Sequence, residues 1–358
     1  MSRKPSVAEL AQRLRAEHGV SRELALSLAG WEIKVASNSD RLIQELESYF
    51  APFVTQAKDP HLTINALEAP ALDLGLDYTI KEPDPGKRKI KEEYAHLPDG
   101  RVVRKRLTGL VFAFGSDHHL VAGPCLDNHN QVVNFINNRL IQLELNRGCL
   151  LAHAAGVKLG QAGMALAGFS GAGKSTLALH LMSLGATFIS NDRLLVRRQG
   201  GRPQMTGVPK LPRINPGTAL NNPQLQGVMS PEEQERFAEL DAEQIWDLEH
   251  KYDVDIVQCF GPGRFELQSS LDALTILNWQ RDASEMVMKE VDLSQRPDLL
   301  GAFKKDWGLF FLCGQEGPDR SNEAYLRELK GVRVFELSGG VDFLGAAQRL
   351  RKELGWPK

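Results

Sequence analysis

Residues 168–176 read GFSGAGKST, in which Gly168, Gly173, Lys174 and Ser175 fall on the pattern G-x-x-x-x-G-K-[ST]. Apolar residues Met164 to Ala167 lead into this stretch as a strand, and a helix is expected to leave it from Lys174. Glycines at these positions let successive backbone N–H groups turn inward around an anion, and a helix N-terminus adds its partial positive charge. Gly168, Ser170, Gly171, Ala172, Gly173, Lys174, Ser175 and Thr176 are therefore the expected nucleotide contacts. Lys174 is placed to reach the β- and γ-phosphates, and the Ser175 hydroxyl to ligate Mg²⁺. The plainer alternative is a glycine-rich turn between a strand and a helix.

Two acid–base candidates flank the loop. Asp192 ends the strand after the loop helix, and strands running the same way share one rim at their C-terminal ends. A carboxylate there can hold Mg²⁺ or accept the proton of a hydroxyl acceptor; the alternative is an Asp in a turn. His153 precedes the strand that enters the loop and, taken alone, reads as structural. The Pro/Gly-rich segment 207–222 carries Lys210 and Arg213. The planar fork of Arg213 suits a phosphate, and a cation there would stabilise charge spread during transfer; the alternative for both residues is a solvated loop. Asp253, Asp255 and Arg264 lie in segment 247–267, where turn chemistry competes with metal or phosphate contact. His118, His119 and His129 lack the short, regular spacing of a zinc site and read as structural.

These residues need elements to hold them. The chain has 358 residues, enough for about two domains. A helix is expected over 6–28, a strand over 31–37, a helix from Ser39 or Asp40 stopped by Pro52, and a strand over 61–69. A cation-rich hairpin over 89–109 turns at Pro98-Asp99-Gly100, two more strands follow, and a helix spans 128–148. We place a smaller α+β domain at 1–125 and the domain carrying the loop at 126–358. The second domain reads as α/β: strand pairs at 156–168 and 193–207, a short strand at 186–190, and strand, helix, strand, helix from Trp307 to Leu354.

Composition narrows the class. Apolar residues make up 42% and charged residues 25%, with a net charge of -2, so no global field argues for nucleic acid or an anionic membrane. The hairpin cations lack the interleaved aromatics that stack bases, which also argues against nucleic acid. The four cysteines, Cys125, Cys149, Cys259 and Cys313, are scattered and read as reduced thiols. No apolar run is long enough to span a membrane, and the charged N-terminal stretch lacks the apolar core of a secretory signal. The expectation is a cytoplasmic protein.

The ordered set HAAGV, GFSGAGKST and FISND resembles the kinase core of bacterial HPr kinase/phosphorylase, at matching spacing from His153 to Lys174 and from Lys174 to Asp192. Over most of its length the chain looks closer to the HPr kinase-related kinases, in particular the group called HprK-related kinase B. The resemblance implies a P-loop α/β core of the HPr kinase and phosphoenolpyruvate carboxykinase type, preceded by a smaller α+β domain. It implies phosphate binding by Lys174, Mg²⁺ binding at Ser175, Asp192 as general base, and His153 near the reacting phosphate. The family's first Asp is replaced by Asn191, whose amide oxygen can still ligate Mg²⁺. The family's later glycine-rich signature is not recognisable. Family members are often oligomeric, so homo-oligomerisation is part of the expectation.

Together these readings predict an ATP- and Mg²⁺-dependent kinase acting on a hydroxyl of a protein serine or a small molecule. The alternative is a nucleotide-gated switch or scaffold with little transfer. A nucleic-acid motor would need further motifs after the loop, and none follows.

Overall fold

The computed structural model describes residues 4–56, 59–83, 88–115, 117–241, 244–245, 248, 250–282, 284–313, 317 and 319–356. The protein is mixed α/β, with large sheets. It divides into two compact units, Met1–Leu143 with Trp307–Gly317, and Glu144–Asp306 with Pro318–Lys358. Among the described residues no helix is long and apolar enough to cross a membrane.

The first unit is built on a nine-stranded sheet: β1 (Arg22–Leu28), β2 (Trp31–Ser37), β3 (Val54–Thr55), β4 (Leu62–Glu68), β5 (Thr79–Ile80), β6 (Glu92–Leu97), β7 (Gly100–Lys105), β8 (Val111–Gly115) and β9 (His119–Gly123). Their order is β3-β1-β2-β4-β9-β8-β7-β6-β5. Helix α1 (Val7–His18) starts at a capping box between Ser6 and Glu9 and buries Val7, Leu10, Ala11 and Leu14. That face packs in one core with Leu67, Val102, Val111 and Leu120 of the sheet. The helix expected over 6–28 stops at Gly19, whose φ of 68° lies in the left-handed region. Residues 22–28 form a strand because Leu24, Leu26 and Leu28 alternate, which buries one face of a sheet, and β1 pairs along its whole length with β2. Helix α2 (Asp40–Tyr49) takes Ser39 as its N-cap.

The first unit extends past the expected boundary at 125. Helix α3 (His129–Asn146) brings Phe135 against Phe112, with ring centroids 5.1 Å apart. Residues 307–313, expected as a strand, form none; residue 314 of that expectation lies outside the described residues. The segment is held by side chains instead. Phe310 stacks on Phe114 at 5.7 Å. Arg101 and Arg139 donate to the carbonyls of Leu309 and Phe310, and Gln142 exchanges two hydrogen bonds with the Leu312 backbone. Two of the hairpin cations are paired across the β6–β7 ladder, Arg104 with Glu93 and Lys105 with Glu92.

The second unit contains β10 (Leu150–Ala152), β11 (Ala154–Leu159), β12 (Ala162–Gly168), β13 (Thr187–Ser190), β14 (Leu194–Gln199), β15 (Arg202–Gly207), β16 (Arg213–Ile214), β17 (Tyr252–Asp253), β18 (Gln268–Ser270), β19 (Ala273–Leu277), β20 (Val287–Glu290) and β21 (Arg333–Ser338). A six-stranded sheet runs β13-β11-β12-β19-β21-β20, and a four-stranded sheet runs β10-β14-β15-β18. Alternation along β12 divides its two faces. Ala165 and Ala167 join the core shared with Leu194, Val196 and Met205 of the smaller sheet. Met164 and Leu166 meet Leu177 and Leu181 of helix α4 (Lys174–Ser183) and Leu350 of the C-terminal helix Phe343–Glu353. The smaller sheet approaches so closely that a Cβ at Gly163 would lie 1.7 Å from the Ser270 carbonyl oxygen. Layers of sheet, sheet and helix result.

Strand direction decides what meets at the rim. β11 is antiparallel to both β12 and β13, so those two strands point the same way with β11 between them. The shared rim expected from an all-parallel arrangement therefore arises from a mixed one. The start of β11 falls on the same rim as the ends of β12 and β13: Ala154 pairs with Ala167, and Gly156 with Ser190.

Candidate active site

That rim gathers His153 from before β11, the loop after Gly168 from β12, and Asn191 and Asp192 from after β13. Gly171 and Gly173 both take positive φ, 83° and 89°, which an L-side chain adopts only at a cost. Gly173 is the N-cap of α4. The Lys174 ammonium folds back to donate to the Gly168 carbonyl at 2.7 Å. Gly168 and Ala172 hold the loop from behind. A Cβ at Gly168 would lie 3.0 Å from that of Ala172, and the Ala172 carbonyl accepts from Trp279 Nε1 at 2.9 Å. Ser170, Gly171, Gly173, Lys174, Ser175 and Thr176 line a cleft of about 410 Å³, together with His153, Asn191 and Asp192.

Behind the loop the hydroxyls are ordered. Ser175 Oγ donates to Asn191 Oδ1 at 2.6 Å. Thr176 Oγ1 lies 2.9 Å from Thr218 Oγ1, and Asn215 Oδ1 accepts from the Thr218 backbone and hydroxyl, both at 3.0 Å. The amide at 191 thus orients the Ser175 oxygen.

Asp192 is one of two non-glycine residues with positive φ among those described, at 68°. Asp tolerates this conformation better than most residues, yet it still carries strain. The surrounding turn holds it: Ser190 Oγ donates to the Arg193 carbonyl and accepts from the Val208 N–H at 3.1 Å, and the Arg193 N–H donates to the Asn191 carbonyl at 2.8 Å. The carboxylate is thereby turned towards His153, whose Nε2 lies 3.1 Å from Oδ1. Its other oxygen lies 3.7 Å from Lys305 Nζ and 3.9 Å from Arg193 Nε. Burial by itself would raise the carboxyl pKa, but the His153 hydrogen bond and the charges of Lys305 and Lys210 outweigh it and hold the group well below the usual carboxylate range. Burial pushes the Lys174 ammonium down to about 8, with Asp192 opposing and Lys305 adding to the shift. Lys210 and Lys305 are lowered too, chiefly by burial.

The other candidates separate. Arg213 lines the cleft but is ion-paired with Asp253 at 3.3 Å, both side chains being more than half exposed. Lys210 is a half-buried cleft residue. Asp255 caps the short helix Ile256–Phe260. Arg264 donates to the carbonyls of Met182 and Ala186, at and just beyond the end of α4, so it is a helix-end clamp rather than a phosphate contact. Replacing Arg264 with alanine should cost about 1–3 kcal/mol in urea unfolding, from loss of its donors to the Ala186 and Met182 carbonyls, while leaving nucleotide affinity unchanged. His119 is buried, and burial with the nearby Arg139 pushes its pKa down to about 3.

Arg193 and Lys305 were not singled out in the sequence. Arg193 sits beside Asp192 and carried only its adjacency as a signal. Lys305 reaches the site through tertiary pairing: the His153 N–H donates to the Phe303 carbonyl at 2.7 Å, and the Lys305 N–H to Leu151 at 3.2 Å. Lys251 and Arg281 also line the cleft.

No protein-family profile matches the chain, and no curated protein matches it. Among solved structures, it is similar to the HPr(Ser) kinase/phosphatase from Coxiella burnetii over 57% of this chain and 93% of that one, at 11% identity and a TM-score of 0.28. A superposition that loose carries no weight for activity.

Proposed function

We propose that the second unit is a kinase core of the P-loop type found in HPr kinase and phosphoenolpyruvate carboxykinase, which uses ATP and Mg²⁺ to phosphorylate a hydroxyl acceptor in the cytoplasm. The single observation that carries this reading is the convergence of Lys174, Ser175, His153 and a strained, cation-clamped Asp192 on one rim beside a positive-φ glycine loop. The donor set fits the ligands. Glycine N–H groups, the start of α4 and Lys174 suit a polyphosphate. The Ser175 hydroxyl, the Asn191 amide oxygen and the Asp192 carboxylate are hard oxygen donors suited to Mg²⁺. When bound, the metal neutralises charge on the β- and γ-phosphate oxygens.

The chain's own residues supply the rest. Lys174 orients the γ-phosphate, and His153 holds Asp192 towards the cleft. Asp192 accepts the acceptor hydroxyl proton as the new O–P bond forms. The bond from the γ-phosphorus to the bridging oxygen breaks, and its electron pair leaves on the diphosphate. Arg213 at the rim is the proposed cation for the charge spread during transfer. The test is γ-labelled ATP with metabolite and protein pools from the source cell. Wild type should label at least one acceptor, and Lys174→Ala should cut labelling by about 10²-fold or more. Labelling that survives Lys174→Ala would sink the reading.

Asn191 favours a second reading, a nucleotide-gated switch, since an amide at this position contributes no charge to the metal. Nucleotide binding without turnover in the same assay would place that reading first.

A further inference from the structure

Among the described residues the cleft is lined by one carboxylate, Asp192, and by five cations, and Arg193 and Lys305 stand close behind Asp192. A polyphosphate held by the loop would draw on Lys174 and the start of α4. Arg213 lies on a separate element, the two-stranded ladder of β16 and β17, and Lys210 and Lys251 lie just outside it in sequence. Arg213 pairs in register with Asp253, and Ile214 with Tyr252, so Lys210 and Lys251 flank opposite ends of this ladder along the cleft wall. Asp253 already compensates Arg213. Among the described residues exposed Lys251 has no ion-pair partner, and half-buried Lys210 has Asp192 as an opposing charge. Three like charges, Arg193, Lys305 and Arg213, act on Lys210 against the single carboxylate of Asp192, and a cleft lined mainly by one sign of charge concentrates ligands of the other.

We propose that the phosphate acceptor is a small anion, a hydroxyl compound carrying a carboxylate or phosphate ester whose charge is taken by Lys210 and Lys251 while its hydroxyl faces Asp192. This inference rests on the kinase reading and names its substrate class. An ionised Asp192 would repel such an acceptor, and the wall cations offset that repulsion. Charge therefore selects the acceptor: a neutral alcohol of the same size gains nothing from the wall. The transfer is the one already written, with the acceptor proton passing to Asp192 and the diphosphate leaving.

The test is calorimetric binding to full-length protein saturated with β,γ-imido-ATP and Mg²⁺, using glycerol 3-phosphate, D-glycerate and glycerol as probes. At least one of the two anions should bind about tenfold or more tightly than glycerol. Whether the phosphate or the carboxylate binds better identifies the source of the charge. Lys251→Ala, an exposed substitution that the fold should tolerate, should weaken anion binding by about threefold or more, and the Lys210→Ala/Lys251→Ala pair by about tenfold or more. Analogue affinity, measured in parallel, should fall by less than anion affinity in each variant. Equal or absent binding of anions and glycerol overturns the proposal, as does full anion binding by the double variant. Binding only to an acidic serine peptide also overturns it, in favour of a protein acceptor. Failure of the analogue itself to bind strikes the kinase reading instead, so the two failures are distinguishable.

Discussion

Asp192→Asn is expected to lower phosphoryl transfer by about 10²–10⁴-fold, the usual range for removing a positioned general base, with a smaller change in nucleotide affinity. Asparagine is the right replacement because it also tolerates the left-handed backbone that residue 192 occupies at φ 68°. Asp192→Ala should lose activity similarly but unfold at a lower temperature than Asp192→Asn, because alanine adds backbone strain. Stability provides a second readout. The carboxyl is held below its ordinary value of 3.8, so its ionised form stabilises the fold. That contribution is fully present above the ordinary value and is lost only as pH falls through the lowered one. The carboxyl's share of the stability gap between wild type and Asp192→Asn should thus persist at neutral pH and shrink only in acid below about pH 4. Urea titrations at several pH values measure it. A variant with wild-type transfer would remove Asp192 from the chemistry.

Gly173→Ala should be the most damaging change of a single methyl group in the loop. The residue has φ 89°, and a Cβ would come within 2.5 Å of two ring carbons of Phe343. Phe343 cannot easily retreat. It stacks on His180 at 5.9 Å and meets Trp279 edge-on at 5.1 Å, and Trp279 is itself tied to the Ala172 carbonyl. Left-handed backbone costs alanine about 1–2 kcal/mol, and overpacking typically about 1–3 kcal/mol more, so the sum is roughly 2–5 kcal/mol. Nucleotide binding should weaken with it, because the loop N–H groups and the start of α4 shift together. Adding Phe343→Leu should recover the steric part and leave the backbone part. Urea unfolding of the two single variants and the pair separates these terms. A Gly173→Ala protein as stable as wild type, with unchanged nucleotide affinity, would contradict this account.

The local features of the site were legible because their signals are local. The glycine loop, its flanking strand and helix, and Asp192 at the end of the next strand all lie within a few turns of chain. His153 taken alone reads as structural and enters only through the family resemblance; its place beside Asp192 comes from the antiparallel insertion of β11, which alternation of apolar residues does not reveal. The helix expected over 6–28 ran too far because the leucines after Gly19 suit either period until β2 pairs with them. The apolar run at 307–313 looked like a strand, yet its carbonyls are taken by arginine and glutamine side chains rather than by a ladder. Lys305 had no local signal at all, since backbone pairing to residues 151 and 153 delivers it.

That same apolar run has a bearing on biosynthesis. The first unit is not a continuous stretch, because Trp307–Gly317 completes it. Phe310 fills the ring cluster of Phe112, Phe114 and Phe135, and carbonyls of this segment accept from Arg101 Nη1 and from Nη2 of the fully buried Arg139. On the ribosome, the amino-terminal sheet must therefore wait, with an arginine and several phenylalanines uncovered, until most of the polypeptide has emerged. Vectorial synthesis cannot finish the first unit before most of the second has been made, and a chain stalled or truncated ahead of Trp307 would expose an aggregation-prone aromatic surface.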